Sequence, residues 1–154
     1  MTRLPLLLAL MLSGCVGDTS VEALERRALP LFYEEARTIE KGGPEAFFCL
    51  ALNRDGRKGD PPANIVALLD EEWEETVLPT SACRIDDDSL VRSDAVEGSG
   101  EILTVGDFDC QEGRGCFASV SFYVANMGAG GTDVTMQRTF TGWRIERSNI
   151  QWIS

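Results

Sequence analysis

The chain has 154 residues, 14 basic against 25 acidic, a formal net charge of −11 and no histidine. An excess this acidic argues against binding nucleic acid or anionic headgroups through the body of the domain. Without histidine the usual general base at neutral pH and the commonest metal ligand are missing, which turns the reading away from hydrolase triads and zinc sites.

The chain opens MTRLPLLLALMLSGC. Arg3 precedes an apolar run from Leu4 to Leu12, and two small residues come next, which is the layout of a secretory signal. The run is too short to cross a bilayer, which takes about 20 apolar residues. Leu12-Ser13-Gly14-Cys15 resembles the bacterial lipobox, in which the cysteine is acylated and becomes the mature N-terminus. The likeness implies a signal peptide over 1–14, a lipidated tether over 15–20 anchored through Cys15, and one domain over 21–154. Val16 in place of aspartate implies outer-membrane retention, facing the periplasm. The 140 residues that remain carry 13 basic and 25 acidic side chains, enough chain for a single domain with a modest core.

With Cys15 assigned to the anchor, Cys49, Cys83, Cys110 and Cys116 remain. Export implies an oxidising compartment. Cys110 and Cys116 flank the five-residue loop QEGRG, and pairing them leaves Cys49 to Cys83. A four-cysteine metal site would want two close pairs, which the spacing of Cys49 and Cys83 does not provide.

In chain order, VEALERRALPLFYEEARTIE puts apolar residues at helical spacing from Val21 to Glu40. Pro30 should kink or restart this helix, and Gly42-Gly43-Pro44 should stop it. A second short helix is expected from Pro44 to Leu52, carrying Phe47, Phe48 and Cys49 inward. NRDGRKGD reads as a polar loop. Its Asn53, Asp55 and Gly56 echo a calcium loop, but Ala51 and Pro62 occupy positions that need acidic ligands. Asp60-Pro61 predicts an N-cap and first turn for a helix over about 61–77, with Asp70, Glu71, Glu74 and Glu75 on a solvated face. Asp86-Asp87-Asp88 reads as a turn tip.

From residue 101 the period changes to two. Ile102, Thr104, Gly106 and Phe108 alternate with Glu101, Leu103, Val105 and Asp107. Cys116 to Val124, Val134 to Phe140 and a final WRIERSNIQWIS continue the pattern, the last with a bulge expected near Arg147 to Asn149. Cys110 opposite Cys116 would set Phe108 against Ala118, Gly106 against Val120 and Thr104 against Phe122. A loop MGAGG would set Val124 against Val134 and Phe122 against Met136. A Thr141-Gly142 turn would set Phe140 against Trp143, Arg138 against Ile145 and Met136 against Arg147. The expectation is a four-stranded antiparallel meander with the helices on its apolar face, an α+β fold.

That register puts Arg138 and Arg147 on the apolar face, diagonal to each other, and no acidic residue on the inner parity of the four strands. A buried guanidinium needs a carboxylate, a bound anion or solvent. Glu34, Glu35 and Glu40 on the first helix are within reach, and the bulge could instead turn Arg147 outward. Arg138 and Arg147 are therefore the candidate ligand-binding residues. No catalytic motif, metal site or cofactor is indicated.

Helices followed by a curved meander, closing with TFTGWRIERS and an aromatic strand, resemble the nuclear-transport-factor-like and cystatin-like folds. The likeness implies a long first helix lying across a bent sheet. The mature chain is also similar to small exported bacterial proteins through CLAL, the DPP helix start, PTSACR and a terminal WIS, a likeness that carries no activity. The expected function is a non-catalytic envelope lipoprotein, a binding or assembly module. It would recruit a periplasmic protein, with the strand Ile102–Phe108 as a candidate free edge. The alternative is a carrier of a small anionic ligand on the concave face. An enzyme would need Glu34 or Glu35 facing that pocket beside Tyr33 or Tyr123.

Overall fold

The computed structural model describes residues 20–39, 46–125, 128–139, 142–147 and 152–153. The leader, Cys15, the Gly42-Gly43-Pro44 stop and positions 148 and 149 of the expected bulge lie outside them. The described residues form an α+β fold of two α-helices and a mostly antiparallel open sheet.

The first helix, α1 (Val21–Ile39), runs through Pro30 as one element. Ser20 caps it, its hydroxyl accepting from the Ala23 amide at 3.3 Å. Leu24, Ala28, Leu29, Phe32, Tyr33 and Ala36 are buried, a stripe at helical spacing that lies on the sheet.

The segment expected as a second helix is a strand, β1 (Phe47–Arg54). Its FFCLAL run is buried at every position, because it lies in the middle of the sheet with both faces covered. Phe48, Leu50 and Leu52 enter the main core, while Phe47, Cys49 and Ala51 enter a second cluster on the opposite face. NRDGRKGD is therefore a hairpin. Asp55 and Gly56 both have positive φ, 52° and 72°, as a tight two-residue turn requires, and β2 (Arg57–Gly59) returns antiparallel along β1.

The helix expected over 61–77 is shorter: α2 spans Ala63–Glu72. Asp60 does not cap it. Its carboxylate accepts from the amide and hydroxyl of Ser81 at 2.8 and 2.6 Å. Glu74 and Glu75 lie beyond the helix, and Val77 belongs to β3 (Thr76–Pro79), which runs parallel to β1. Asp70 accepts from the Val77 amide at 2.8 Å, so the expected acidic helix face is not one face. A 3₁₀ turn over Thr80–Ala82 leads to β4 (Cys83–Ile85) and β5 (Val91–Ser93), a short hairpin. Its tip is the expected Asp86 turn, the Asp86 carboxylate accepting from the amides of Asp88 and Leu90.

The remaining strands are β6 (Gly100–Gln111), β7 (Gly115–Val124), β8 (Gly128–Thr139), β9 (Gly142–Arg147) and β10 (Trp152–Ile153). The main path of the sheet is β10-β8-β7-β6-β1-β2, with β3 beside β1, β9 beside β8 and the β4–β5 hairpin attached through β6. The expected four-stranded meander is thus one part of a ten-stranded sheet. The strand Ile102–Phe108 is not an edge, because β1 pairs with β6 from Gly100 to Val105 and β7 covers its other side.

Three registers differ from expectation. Cys110 does face Cys116, but a bulge between Gly106 and Asp109 shifts the rest of β6, pairing Gly106 with Ser119 and Thr104 with Ser121. The bulge adds one residue, so Leu103 and Val105 share the inner face with Phe108 and Cys110, although their parity differs. The same change gives Glu101 the inner parity, where it is fully buried. Residues 128–131 of MGAGG are strand, not loop. Gly128 pairs with Val124, and Cys116, not Phe122, faces Met136. Gly130 and Gly131 lie inside β8, where β10 pairs with them. Finally, Arg138 pairs with Trp143, Met136 with Ile145 and Val134 with Arg147. That slip of two residues keeps each side chain's face.

Candidate functional site

Two disulfides are formed, Cys49–Cys83 and Cys110–Cys116. The first ties β4 to the outer face of β1 and closes the smaller cluster over Phe47, Ala51, Val91 and Ile102. The second closes the tip of the β6–β7 hairpin. Gly115 at that tip has φ 122°, and a Cβ there would overlap the Met136 carbonyl oxygen.

Of the two arginines, Arg147 is paired internally. Its Nε donates to Glu35 Oε2 on α1, and its Nη2 donates to Thr38 Oγ1 at 2.6 Å. The side chain stays 45% exposed, so the pair seals the rim of the helix–sheet interface and is not sunk in it. Arg138 stands in β8 opposite Trp143, with its side chain outside the described residues. The observed register sets the two arginines four positions apart along β8, not two, a span of about 13 Å at the usual strand rise.

The inner face of the sheet is occupied. Phe32 meets Phe108 edge to face at 5.8 Å, Tyr33 and Leu29 fill the space beside them, and all three α1 residues are almost wholly buried. The Tyr33 hydroxyl donates to the Ala51 carbonyl at 2.8 Å. Burial pushes its pKa strongly upward, against the opposing pull of the Arg54 charge.

Two further arginines flank this core. Arg37 lies over the rings of Trp73 and Phe48, 4.7 and 5.5 Å from their centroids, and pairs with Glu75 at 2.6 Å. Trp73 in turn donates its indole N–H to Glu34. The arrangement satisfies a half-buried guanidinium on two sides and pins the end of α2 to α1. Arg54 lies 5.5 Å from the Phe108 ring and pairs with Glu25 at 3.0 Å, beside an open polar cleft of about 380 Å³ that Asp55, Asp107 and Asp109 also line.

The four residues expected at a catalytic pocket each have a separate partner. Glu34 is bonded to Trp73, Glu35 to Arg147 and Tyr33 to Ala51. Tyr123 packs on the other face and donates to the Ser89 carbonyl at 3.0 Å. Among the described residues, no group of three or more carboxylates or cysteines is placed to hold a metal ion, and no helix is long and apolar enough to cross a membrane.

Compared with protein-family models, curated proteins and solved structures, the chain matches none of them.

Proposed function

We propose that this chain is a lipid-anchored envelope protein acting as a non-catalytic binding or assembly module, held through Cys15 at the outer membrane on its periplasmic side. One observation carries the second half of the reading. The inner face of the sheet, where a carrier would seat its ligand, is filled by α1 side chains buried to within a few per cent. Several depressions lined by the described residues are open, in contrast to the concave, largely enclosed sites that hold small ligands. A function that works by surface contact with a partner needs no interior pocket. It also tolerates a core closed by two disulfides.

The likeness to the nuclear-transport-factor-like and cystatin-like folds belongs to the same proposal. A long helix across a largely antiparallel sheet supports it, while the parallel β1 and β3 and the β4–β5 arm are additions to the pattern. On this reading the cone such folds often enclose has been packed shut by Leu29, Phe32 and Tyr33.

The test is native mass spectrometry of the tagged chain, extracted gently from its own membranes. Added mass of protein size supports the module. A small-molecule adduct that is lost in an Arg138→Met variant would overturn it in favour of the anionic-ligand carrier.

A further inference from the structure

The two ends of the sheet differ. At one end, β2 presents Arg57 and Lys58, both exposed, and the β3 edge ends in Pro79 followed by a 3₁₀ turn. Basic side chains, proline and short strands are the usual devices that discourage edge pairing. At the other end β8 carries the two-residue β10 and, further along, β9, GWRIER, whose only described strand partner is β8. β9 has no proline, and its two basic residues are each matched by a carboxylate of the same chain, Arg144 by Glu146 and Arg147 by Glu35. Trp143 and Ile145 turn inward against the core, while Arg144 and Glu146 stand on the outer face, exposed and 2.7 Å from each other.

The order of these side chains is self-complementary. In an antiparallel pairing of β9 with β9 of a second copy, centred on Ile145, Ile145 faces its own counterpart. Arg144 faces Glu146 of the other copy, twice by symmetry, and Trp143 faces Arg147, whose guanidinium stays on Glu35 of its own chain. Opposite charges directly across a strand pair are favourable, and like charges are unfavourable. Slipping by two residues in one direction opposes Arg144 to Arg144, and in the other Glu146 to Glu146. Slipping by one mixes the faces. A single register therefore satisfies both charge and face, and it is two-fold symmetric, as a closed pair of identical chains requires.

We infer that β9 is a homotypic docking edge, through which two copies of this chain join their sheets in the Ile145-centred register. The inference rests on the binding-module reading and names its partner as a second copy. The pairing is short, so two copies tethered to one bilayer, at raised effective concentration, are its natural setting.

The experiment uses the full lipidated chain, purified in detergent and followed by analytical ultracentrifugation, with Arg144→Glu and Glu146→Arg as separate variants. Both substitutions fall on exposed side chains, and circular dichroism checks that each variant keeps the fold. The intact chain should show a monomer–dimer equilibrium. Each variant alone opposes like charges at both symmetric pairs and should raise the dissociation constant about tenfold or more. Mixed together, the two variants restore both opposite-charge pairs and should form a one-to-one heterodimer. A strictly monomeric intact chain overturns the inference, as does a dimer indifferent to either variant or a mixture that fails to recombine. If the chain is monomeric yet leaves the membrane with another protein bound, homotypic docking fails and the binding-module reading stands.

Discussion

Arg147 at the end of β9 donates to Glu35 in the fourth turn of α1, and the two residues are 112 positions apart in the chain. The contact fastens the last long strand to the helix that fills the sheet, with Thr38 as a second acceptor. Because Arg147 is nearly half exposed, water and salt screen the pair. Arg147→Ala should cost about 0.5–1 kcal/mol, and a double-mutant cycle with Glu35→Gln should recover most of that as coupling. Urea denaturation measures it. A coupling near zero would mean the two side chains are each solvated independently.

Tyr33 offers a sharper test, since its hydroxyl is buried with one bond to Ala51. Tyr33→Phe removes the donor while keeping the ring, and should cost about 1–2 kcal/mol. The raised pKa has a direction as well. A neutral form favoured by folding stabilises the protein below the ordinary tyrosine value of about 10. That contribution is lost as pH rises above it, because the unfolded chain ionises first. The Tyr33→Phe variant should lack this alkaline loss, read as the difference in denaturation midpoint between neutral and alkaline buffer.

The disulfides should differ in weight. Cys110–Cys116 closes a short loop and Cys49–Cys83 a long one, with sequence separations of 6 and 34. Loop-closure entropy alone gives about 2 kcal/mol for the first and about 4 kcal/mol for the second. Paired serine substitutions, compared by thermal denaturation, should rank them in that order. Replacing Cys49 and Cys83 together should also expose the β4–β5 arm to proteolysis.

At the Asp86 turn, the bond from the Leu90 amide, aided by Arg92, holds the carboxyl below the usual carboxylate range. A depressed value in the folded chain stabilises the turn above the unfolded pKa, and that contribution is lost as pH falls through the folded one. The protection factor of the Leu90 amide, its exchange rate relative to the unfolded chain at the same pH, should therefore fall selectively on acidification. In Asp86→Asn the acid dependence should vanish.

Anchoring can be tested apart from folding. Cys15→Ala should move the chain from the membrane fraction to a soluble or unprocessed pool and abolish labelling by palmitate. Persistent membrane fractionation without label would point to attachment through the domain itself.

Much of the sheet is legible in the residues, and the departures cluster where local pattern and burial disagree. The strands from 102 onward alternate because one face meets α1, and that alternation is visible in β7 and β8. β1 carries no alternation, since both faces are buried, so FFCLAL fits a short helix as well as a strand. The hairpin signal available there is the Asp55-Gly56 dipeptide, which also fits a longer polar loop. On β6 the alternation is plain, but a bulge at Asp107 and Phe108 reverses parity midway. The face assigned from Cys110 is therefore wrong for the first half of the strand, and the reversal hides Glu101.

Chemistry between near neighbours was enough to place an α1 helix with a buried stripe, the Cys110–Cys116 hairpin, the Asp86 turn and the pairing left for Cys49 and Cys83. Which carboxylate holds Arg147, which strands are edges and whether the concave face is open came only from the folded arrangement. Those outcomes depend on contacts between residues far apart in the chain, where a single inserted residue or a second strand alongside changes every neighbour. The edges of the sheet are such an outcome: β1, more than forty residues earlier in the chain than its partner β6, covers the side of that strand that the meander alone would have left open.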